Sequence, residues 1–294
     1  MILPCKKIAH ELTKHLVERV SLLKSRGKSV KLLAVLVGDQ PQQQSYVRIK
    51  RNLARSLGID FAFLEFPQTP PFHEFLTLIQ NKARDPGISG IILQLPLPEH
   101  YDLSLIYQAI PPTKEIEGHG QNNLYTFPLV QACMIGLEWV HTQSEQTYTL
   151  PYTPNNLLIE WLRTRQIAVA GRGITTGKPI AAYFDKLGIP YTQTHSKLAN
   201  SDDIYRHSDI IICGVGKKIL TKENVKQGVI LLNFGLHKAP YYLAGNKKTM
   251  LVGDYDEDEM KDVASCYTIT PGGLGPIDIL CMYGNLIESA NHNS

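Results

Sequence analysis

Residues 169–179 read VAGRGITTGKP, a short apolar run that passes into glycines and then into a segment with helical spacing. That order gives a nucleotide-binding fingerprint its physical meaning. Backbone N–H groups at the helix start can hold phosphate, and glycine lets the chain come close to it. Gly171, Gly173 and Gly177 are spaced GxGxxxG, one residue longer than the usual GxGxxG. A Walker loop is excluded, because Gly173 and Gly177 enclose only three residues and Pro179 takes the place of the magnesium-binding hydroxyl. A glycine-rich connection that binds nothing is the plain alternative.

The next expected strand bears on the choice of ligand. NAD sites place an acid about 20 residues downstream of the fingerprint to hold the ribose hydroxyls. Here that place reads Thr194, His195, Ser196, Lys197, with no carboxylate and one cation. A ribose phosphate would instead meet Ser196, Lys197 and the guanidinium of Arg172, whose planar fork suits phosphate oxygens. The sequence therefore leans to NADP, while Lys197 reads equally well as a solvated loop residue.

Outward from this unit, helix-like and strand-like segments alternate, which predicts an α/β fold with largely parallel sheets. Downstream, strands are expected at 190–194, 210–213, 229–233 and 250–252, and a helix over 278–290 that could pack on either domain. Upstream, a helix over 155–165 opens the cycle near Pro151, so a domain change is placed near residue 148. Before it, Ile8, Leu12, Leu16, Val20 and Leu23 recur at helical spacing, and Leu32 to Val37 (LLAVLV) reads as a buried strand. A helix over 45–57, a strand over 60–66, a helix over 72–83 and a strand over 90–94 follow. Prolines at 96, 98, 111 and 112 lead into a polar loop over 114–123.

The composition narrows the function classes. At 294 residues, 43% hydrophobic and 19% charged, the chain has the profile of a soluble globular protein of one or two domains. Thirty Lys plus Arg against 27 Asp plus Glu leave a net charge of +3, too little for a protein that binds nucleic acid through charge alone. The five cysteines are scattered and form no CxxC, so neither a disulfide framework nor a zinc site is expected, and a reducing compartment fits. MILPCKKIAHELTKHLVERV matches no secretory or transit peptide, and no apolar run is long enough to cross a bilayer. A cytoplasmic protein without membrane contact is expected.

Tyr46 and Lys50, in SYVRIK, lie four apart on the expected second helix and so share a face. A phenol beside an amine can handle a proton. The same spacing fits a helix with its tyrosine packed inward and its lysine snorkelling. Short-chain dehydrogenases carry YxxxK too, but after the glycine fingerprint, the reverse of the order here. Gln94, at the end of a buried strand, and Glu117, in the following loop, lie where α/β sheets gather ligands.

Taken together, these motifs resemble the bifunctional methylenetetrahydrofolate dehydrogenase/cyclohydrolase family. LAVLVGDQPQQQSYVRIK resembles its amino-terminal signature and GIILQLPLPEH its QLPLP segment. KEIEG is similar to KDVDG, PYTP to PCTP, GRGITTGKP to GRSxxVGxP, and TPGGLGPID to PGGVGPMT, all in matching order. The resemblance implies a folate domain over 1–148 with a returning segment 272–294, and a Rossmann-like NADP domain over 149–271, usually in a homodimer. It implies that Lys50 is the main catalytic residue, that Tyr46 stacks on the pterin or aminobenzoate and orients the lysine, and that Gln94 hydrogen-bonds the lysine and helps tune its protonation. Glu117 would grip the pterin, and Gly272 and Gly273 would let the backbone close over it. Gly171, Arg172, Gly173, Ser196, Lys197 and Leu236 would bind NADP.

The implied chemistry belongs to one-carbon metabolism. Hydride passes from methylenetetrahydrofolate to NADP, and water opens the resulting methenyl cation to 10-formyltetrahydrofolate, with no metal required. The chain departs from the family pattern at several places: Glu117 for aspartate, HGQNN at 119–123 for FHPxN, Tyr152 for cysteine, Gly173 for serine and Asp278 for threonine. Two other readings stand beside this one. One is a different NADP-dependent two-domain dehydrogenase, the other a folate-binding homologue that has lost one or both activities.

Overall fold

The computed structural model describes residues 1–120, 122–144, 147–243 and 246–292. Its elements run α1 (Cys5–Ser25), β1 (Lys31–Val37), α2 (Pro41–Leu57), β2 (Asp60–Phe66), α3 (Phe72–Arg84), β3 (Gly90–Leu93), α4 (Leu103–Gln108), α5 (Pro128–Thr142), α6 (Asn156–Arg163) and β4 (Ile167–Ala170). They continue with α7 (Gly177–Leu187), β5 (Thr192–Thr194), α8 (Ser201–His207), β6 (Ile210–Cys213), β7 (Ile230–Asn233), β8 (His237–Leu243), β9 (Asn246–Val252), α9 (Glu257–Met260), β10 (Cys266–Tyr267) and α10 (Gly275–His292). Two compact units form. One holds His10–Pro128, Thr149–Tyr152 and the chain from Ile279 on; the other holds Met1–Ala9, Leu129–Tyr148 and Thr153–Asp278.

The first unit is built on a parallel sheet of order β2-β1-β3. LLAVLV has no polar residue to face water, so β1 takes the central place, and Leu32 to Leu36 are at most 2% exposed. Proline at the first turn opens α2 four residues before the expected start. Gly58, at φ +74°, closes that helix with its N–H turned back onto the last carbonyls. Leu33, Val35, Phe75, Ile79, Ile91 and Ile106 form the core on one face of the sheet. On β3, a Cβ at Gly90 would come within 2.6 Å of Leu286 Cδ1, so glycine is what lets α10 lie against the strand.

Polar side chains fasten α10 to this unit. Asn285 Nδ2 donates to the carbonyls of Ile116 at 2.8 Å and Thr126 at 3.1 Å, and Ser289 Oγ donates to those of Ser89 and Thr113. Tyr283, fully buried, donates its hydroxyl proton to the Lys50 carbonyl at 2.6 Å.

The second unit carries a five-stranded parallel sheet of order β10-β7-β6-β4-β5. The chain moves from β4 to β5 on one side and then to β6 on the other, which makes the end of β4 the switch point where open α/β sheets bind ligands. Against this sheet lies a core that includes Ile211, Leu220, Leu231, Tyr255 and Met260.

The strand expected at 250–252 is part of β9, and it pairs antiparallel with β8 in a separate hairpin. Met250 and Leu251 are 47% and 43% exposed, as suits a ribbon outside the main sheet. The sequence reading contains no counterpart of α5, because PLVQACMIGLEWVHT is apolar nearly all round and shows no stripe. Among the described residues, no helix is long and apolar enough to cross a membrane.

Candidate active site

Each unit gathers a constellation at the carboxyl ends of its strands. In the three-stranded unit, Tyr46 and Lys50 sit one turn apart on α2, both partly buried. Gln94 follows β3 directly, its backbone N–H donating to the Val35 carbonyl at 2.8 Å. Glu117 stands in the loop that runs on from Lys114, whose carbonyl accepts from the Ile91 N–H. The structure brings three of these side chains together. Lys50 Nζ donates to Gln94 Oε1 at 3.5 Å and to Glu117 Oε1 at 3.3 Å. The Lys50 and Glu117 side chains are only 13% and 16% exposed, so the pair is well shielded from screening.

Residues that the sequence reading does not single out hold this cluster. Gln43, 4% exposed, donates to the Pro96 carbonyl at 2.9 Å and so anchors the turn after Gln94 to the start of α2. Glu115, 2% exposed, accepts from the backbone N–H groups of Glu117 at 3.0 Å and Gly120 at 3.1 Å. Burial pushes the Glu115 carboxyl above its ordinary value; the Gly120 N–H opposes this and the neighbouring Glu117 charge adds to it. Its carboxylate thereby shapes the loop that presents Glu117. Tyr283 ties the carbonyl of Lys50 to α10. Of the 119–123 stretch, Gln121 lies outside the described residues.

In the five-stranded unit the fingerprint forms the β4–α7 turn. The Gly171 N–H donates to the Thr194 carbonyl at 2.9 Å, which joins the ends of β4 and β5. Gly171 adopts φ +100°, a left-handed conformation that favours glycine. A Cβ on Gly177 would stand 2.0 Å from the Gly171 carbonyl oxygen, and one on Gly214 would stand 2.4 Å from Thr176 Cγ2. At Gly177 backbone packs on backbone, and at Gly214 the missing Cβ makes room for the Thr176 side chain. Arg172 and Gly173 are exposed on the β4 turn, and Ser196 and Lys197 are exposed just past β5.

Leu236 is 38% exposed beyond β7, as is Val215 beyond β6, and Ile174 is 51% exposed. Asp254, fully buried, accepts from the Val215 N–H at 2.6 Å and the Gly216 N–H at 2.9 Å and so fixes the β6 loop. A helix start behind a glycine turn, exposed cations beside it and apolar side chains at the strand ends suit a dinucleotide. The residues present fit a nicotinamide coenzyme.

Gly272 and Gly273 belong to this second unit as well. Gly272 takes φ +100°, and a Cβ on Gly273 would lie 2.6 Å from the Ile269 carbonyl oxygen. Asp278 falls in the first turn of α10, where a negative charge complements the helix dipole.

Residues 3–117 match the catalytic domain of tetrahydrofolate dehydrogenase/cyclohydrolase, and residues 158–294 match its NAD(P)-binding domain. The chain belongs to this family. A bifunctional protein FolD from an Exiguobacterium species is 33% identical over 297 residues, with 99% of each chain covered. The solved structure of FolD methylenetetrahydrofolate dehydrogenase/cyclohydrolase from Campylobacter jejuni is 25% identical with a TM-score of 0.84, covering 100% of this chain and 99% of that one. A 5,10-methylenetetrahydrofolate dehydrogenase from the silkworm Bombyx mori is 26% identical with a TM-score of 0.81, covering 99% and 98%. The α/β class and the family expected from the six motifs agree with these matches. Within the family's catalytic domain lie Tyr46, Lys50, Gln94 and Glu117, and within its NAD(P)-binding domain lie the fingerprint, Ser196, Lys197, Leu236, Gly272 and Gly273.

Proposed function

We propose that this chain oxidises 5,10-methylenetetrahydrofolate with NADP and hydrolyses the methenyl product to 10-formyltetrahydrofolate. The observation that carries the reading is Lys50 Nζ held between Gln94 Oε1 and Glu117 Oε1, in the domain the family uses for catalysis. The coenzyme, when bound, accepts the hydride that leaves the one-carbon bridge. Tyr46, on the same helix face as Lys50, supplies a flat ring for the folate to stack on.

In the hydrolytic step, water adds to the methenyl carbon and Lys50 takes its proton; the carbon–nitrogen bond then breaks and that nitrogen takes a proton back through Lys50. The cation and water yield a neutral formyl product and one proton, which leaves the site. A lysine paired with a carboxylate is poorly placed to accept a proton. Glu117 therefore has two successive partners: Lys50 at first, and the polar edge of the pterin once folate arrives. Transfer of the carboxylate frees the amine for its work, and Gln94 keeps it aimed.

On the coenzyme side, Arg172, Ser196 and Lys197 bind the ribose phosphate, the Gly171–Gly173 turn and the start of α7 carry the pyrophosphate, and Leu236 lines the site. Replacing Arg172 and Lys197 by alanine is expected to raise the KM for NADP by about tenfold or more per cation, the worth of a charge-assisted hydrogen bond. The KM for NAD should move far less, and equal losses for both coenzymes would contradict the assignment. The working form is read as a cytoplasmic homodimer. The reading as a whole is tested by mixing purified protein with methylenetetrahydrofolate and NADP and following NADPH, the methenyl absorbance and the ring-opened product. Binding of NADP with no turnover of any folate would defeat it.

A further inference from the structure

Within the five-stranded unit, loops leave the carboxyl ends of β6, β7 and β10, and two buried side chains join them. Asp254, fully buried, accepts the Val215 N–H on Oδ2 at 2.6 Å and the Gly216 N–H on Oδ1 at 2.9 Å, and so holds the loop after β6. Asn233, 4% exposed at the end of β7, folds the next loop. Its Oδ1 accepts from the Gly235 N–H at 3.1 Å and the Asp254 N–H at 3.2 Å. Its Nδ2 donates to the Gly235 carbonyl at 2.9 Å and to Thr270 Oγ1, in the loop after β10, at 3.0 Å.

The backbone leaves room for this pair. A Cβ on Gly235 would stand 2.0 Å from Asp254 Oδ1, and one on Gly253 would stand 2.5 Å from Asn233 Nδ2. A carboxylate shut away from water is costly unless hydrogen-bond donors satisfy it. Burial pushes the Asp254 carboxyl above its ordinary value, and the N–H groups of Val215, Gly216 and Lys217 oppose that. What the pair fixes is position. Val215 after β6 and Leu236 after Gly235 are apolar side chains, each 38% exposed, at the end of the sheet where ligands bind.

In the strand order β10-β7-β6-β4-β5 the switch point lies at the end of β4, and a dinucleotide lies across such a point with one half on each side. The ribose phosphate is assigned above to Arg172, Ser196 and Lys197, on the β5 side. The nicotinamide half then falls over β6 and β7. We propose that Asp254 and Asn233 are positioning residues for the nicotinamide: from beneath the surface they hold Val215 and Leu236 as the apolar wall against which the ring is set for hydride transfer. The proposal rests on the coenzyme reading given above and adds to it the two side chains that aim the reacting end.

The test separates the two ends of the coenzyme. Saturation-transfer NMR on the whole protein with NADP reads the nicotinamide and adenine protons independently, with no turnover involved. Both rings are expected to take up signal from the unaltered chain. In Asp254→Asn an amide group faces one of the two loop N–H groups, the loop shifts, and the nicotinamide signal is expected to be lost while the adenine signal persists. Dehydrogenase kcat should fall by about 100-fold, as for a misplacement of about 1 Å, with the KM for NADP changing far less. Thr270→Val is the gentler variant. It keeps the carboxylate and removes the acceptor of one Asn233 bond, so the nicotinamide signal should weaken in the same direction, and it decides the matter if Asp254→Asn does not fold. Equal loss of both ring signals in a folded variant overturns the proposal. So does a nicotinamide signal unchanged in both variants, or absent from the unaltered chain. A chain that holds both rings of NADP yet turns over no folate would count against the proposed function, and the NMR comparison would still decide the role of Asp254 and Asn233.

Discussion

Lys50→Met is expected to lower cyclohydrolase kcat/KM by about 1,000-fold, the middle of the range for removal of a general acid–base group. Methionine keeps an unbranched stem of similar reach and is a good helix former, so α2 should persist. The Tyr283 hydrogen bond goes to the backbone carbonyl of residue 50 and survives the change. What disappears is the amine that Gln94 and Glu117 hold between them, and with it the group proposed to take a proton from water and give one to the leaving nitrogen. Lys50→Arg sharpens the test. Guanidinium keeps the charge and can still pair with Glu117, but it does not give up its proton at neutral pH. Folate binding should therefore outlast hydrolysis in Lys50→Arg, as shown by titration of the methenyl substrate against rapid-mixing rates. Unimpaired hydrolysis in either variant would remove Lys50 from the mechanism.

The second large effect is expected at Gly177→Ala. The added Cβ would stand 2.0 Å from the Gly171 carbonyl oxygen, 2.6 Å from its carbon and 3.1 Å from the Arg172 nitrogen. All three are backbone atoms, so no side chain can swing aside, and the first turn of α7 must move away from β4. Overpacking of this kind costs about 1–3 kcal/mol of stability. The greater loss should fall on the coenzyme, because the displaced turn is the one proposed to carry the pyrophosphate. The expected result is a folded protein whose melting temperature no longer rises with NADP. Gly173→Ala supplies the contrast, since nothing lies within 4 Å of its Cβ position. An NADP shift that survives in Gly177→Ala would mean that phosphate is held elsewhere.

The parts legible in the sequence were those with a local signature. LLAVLV announces a buried strand by having no polar residue, and the strand, glycine turn and helix of the fingerprint are contiguous. α5 was not legible, because a helix buried on all sides leaves no stripe to count. The β8–β9 ribbon hid for the opposite reason: HKAPYYL and NKKTMLV interleave polar and apolar residues with a proline and three lysines, so the visible trace was the short apolar stretch at 250–252. In the site, Lys50, Gln94 and Glu117 stood at motif positions, whereas Glu115 and Gln43 act through backbone groups of other segments. Such partners depend on the folded path of the chain. Tyr107 and His119 are separated by a proline-rich stretch, and the stacking of their rings likewise exists only once α4 has met the loop after Glu117.

The hydrogen bond from Ser289 to the Ser89 carbonyl spans 200 residues of chain, and this bears on how the protein is born. The ribosome delivers β3 long before the helix that secures it. At roughly 5–20 residues per second, the strand waits on the order of 10–40 s for its fastening. Through that interval the nascent catalytic half must persist with its backing helix missing, a stretch of time in which chaperones would find it receptive.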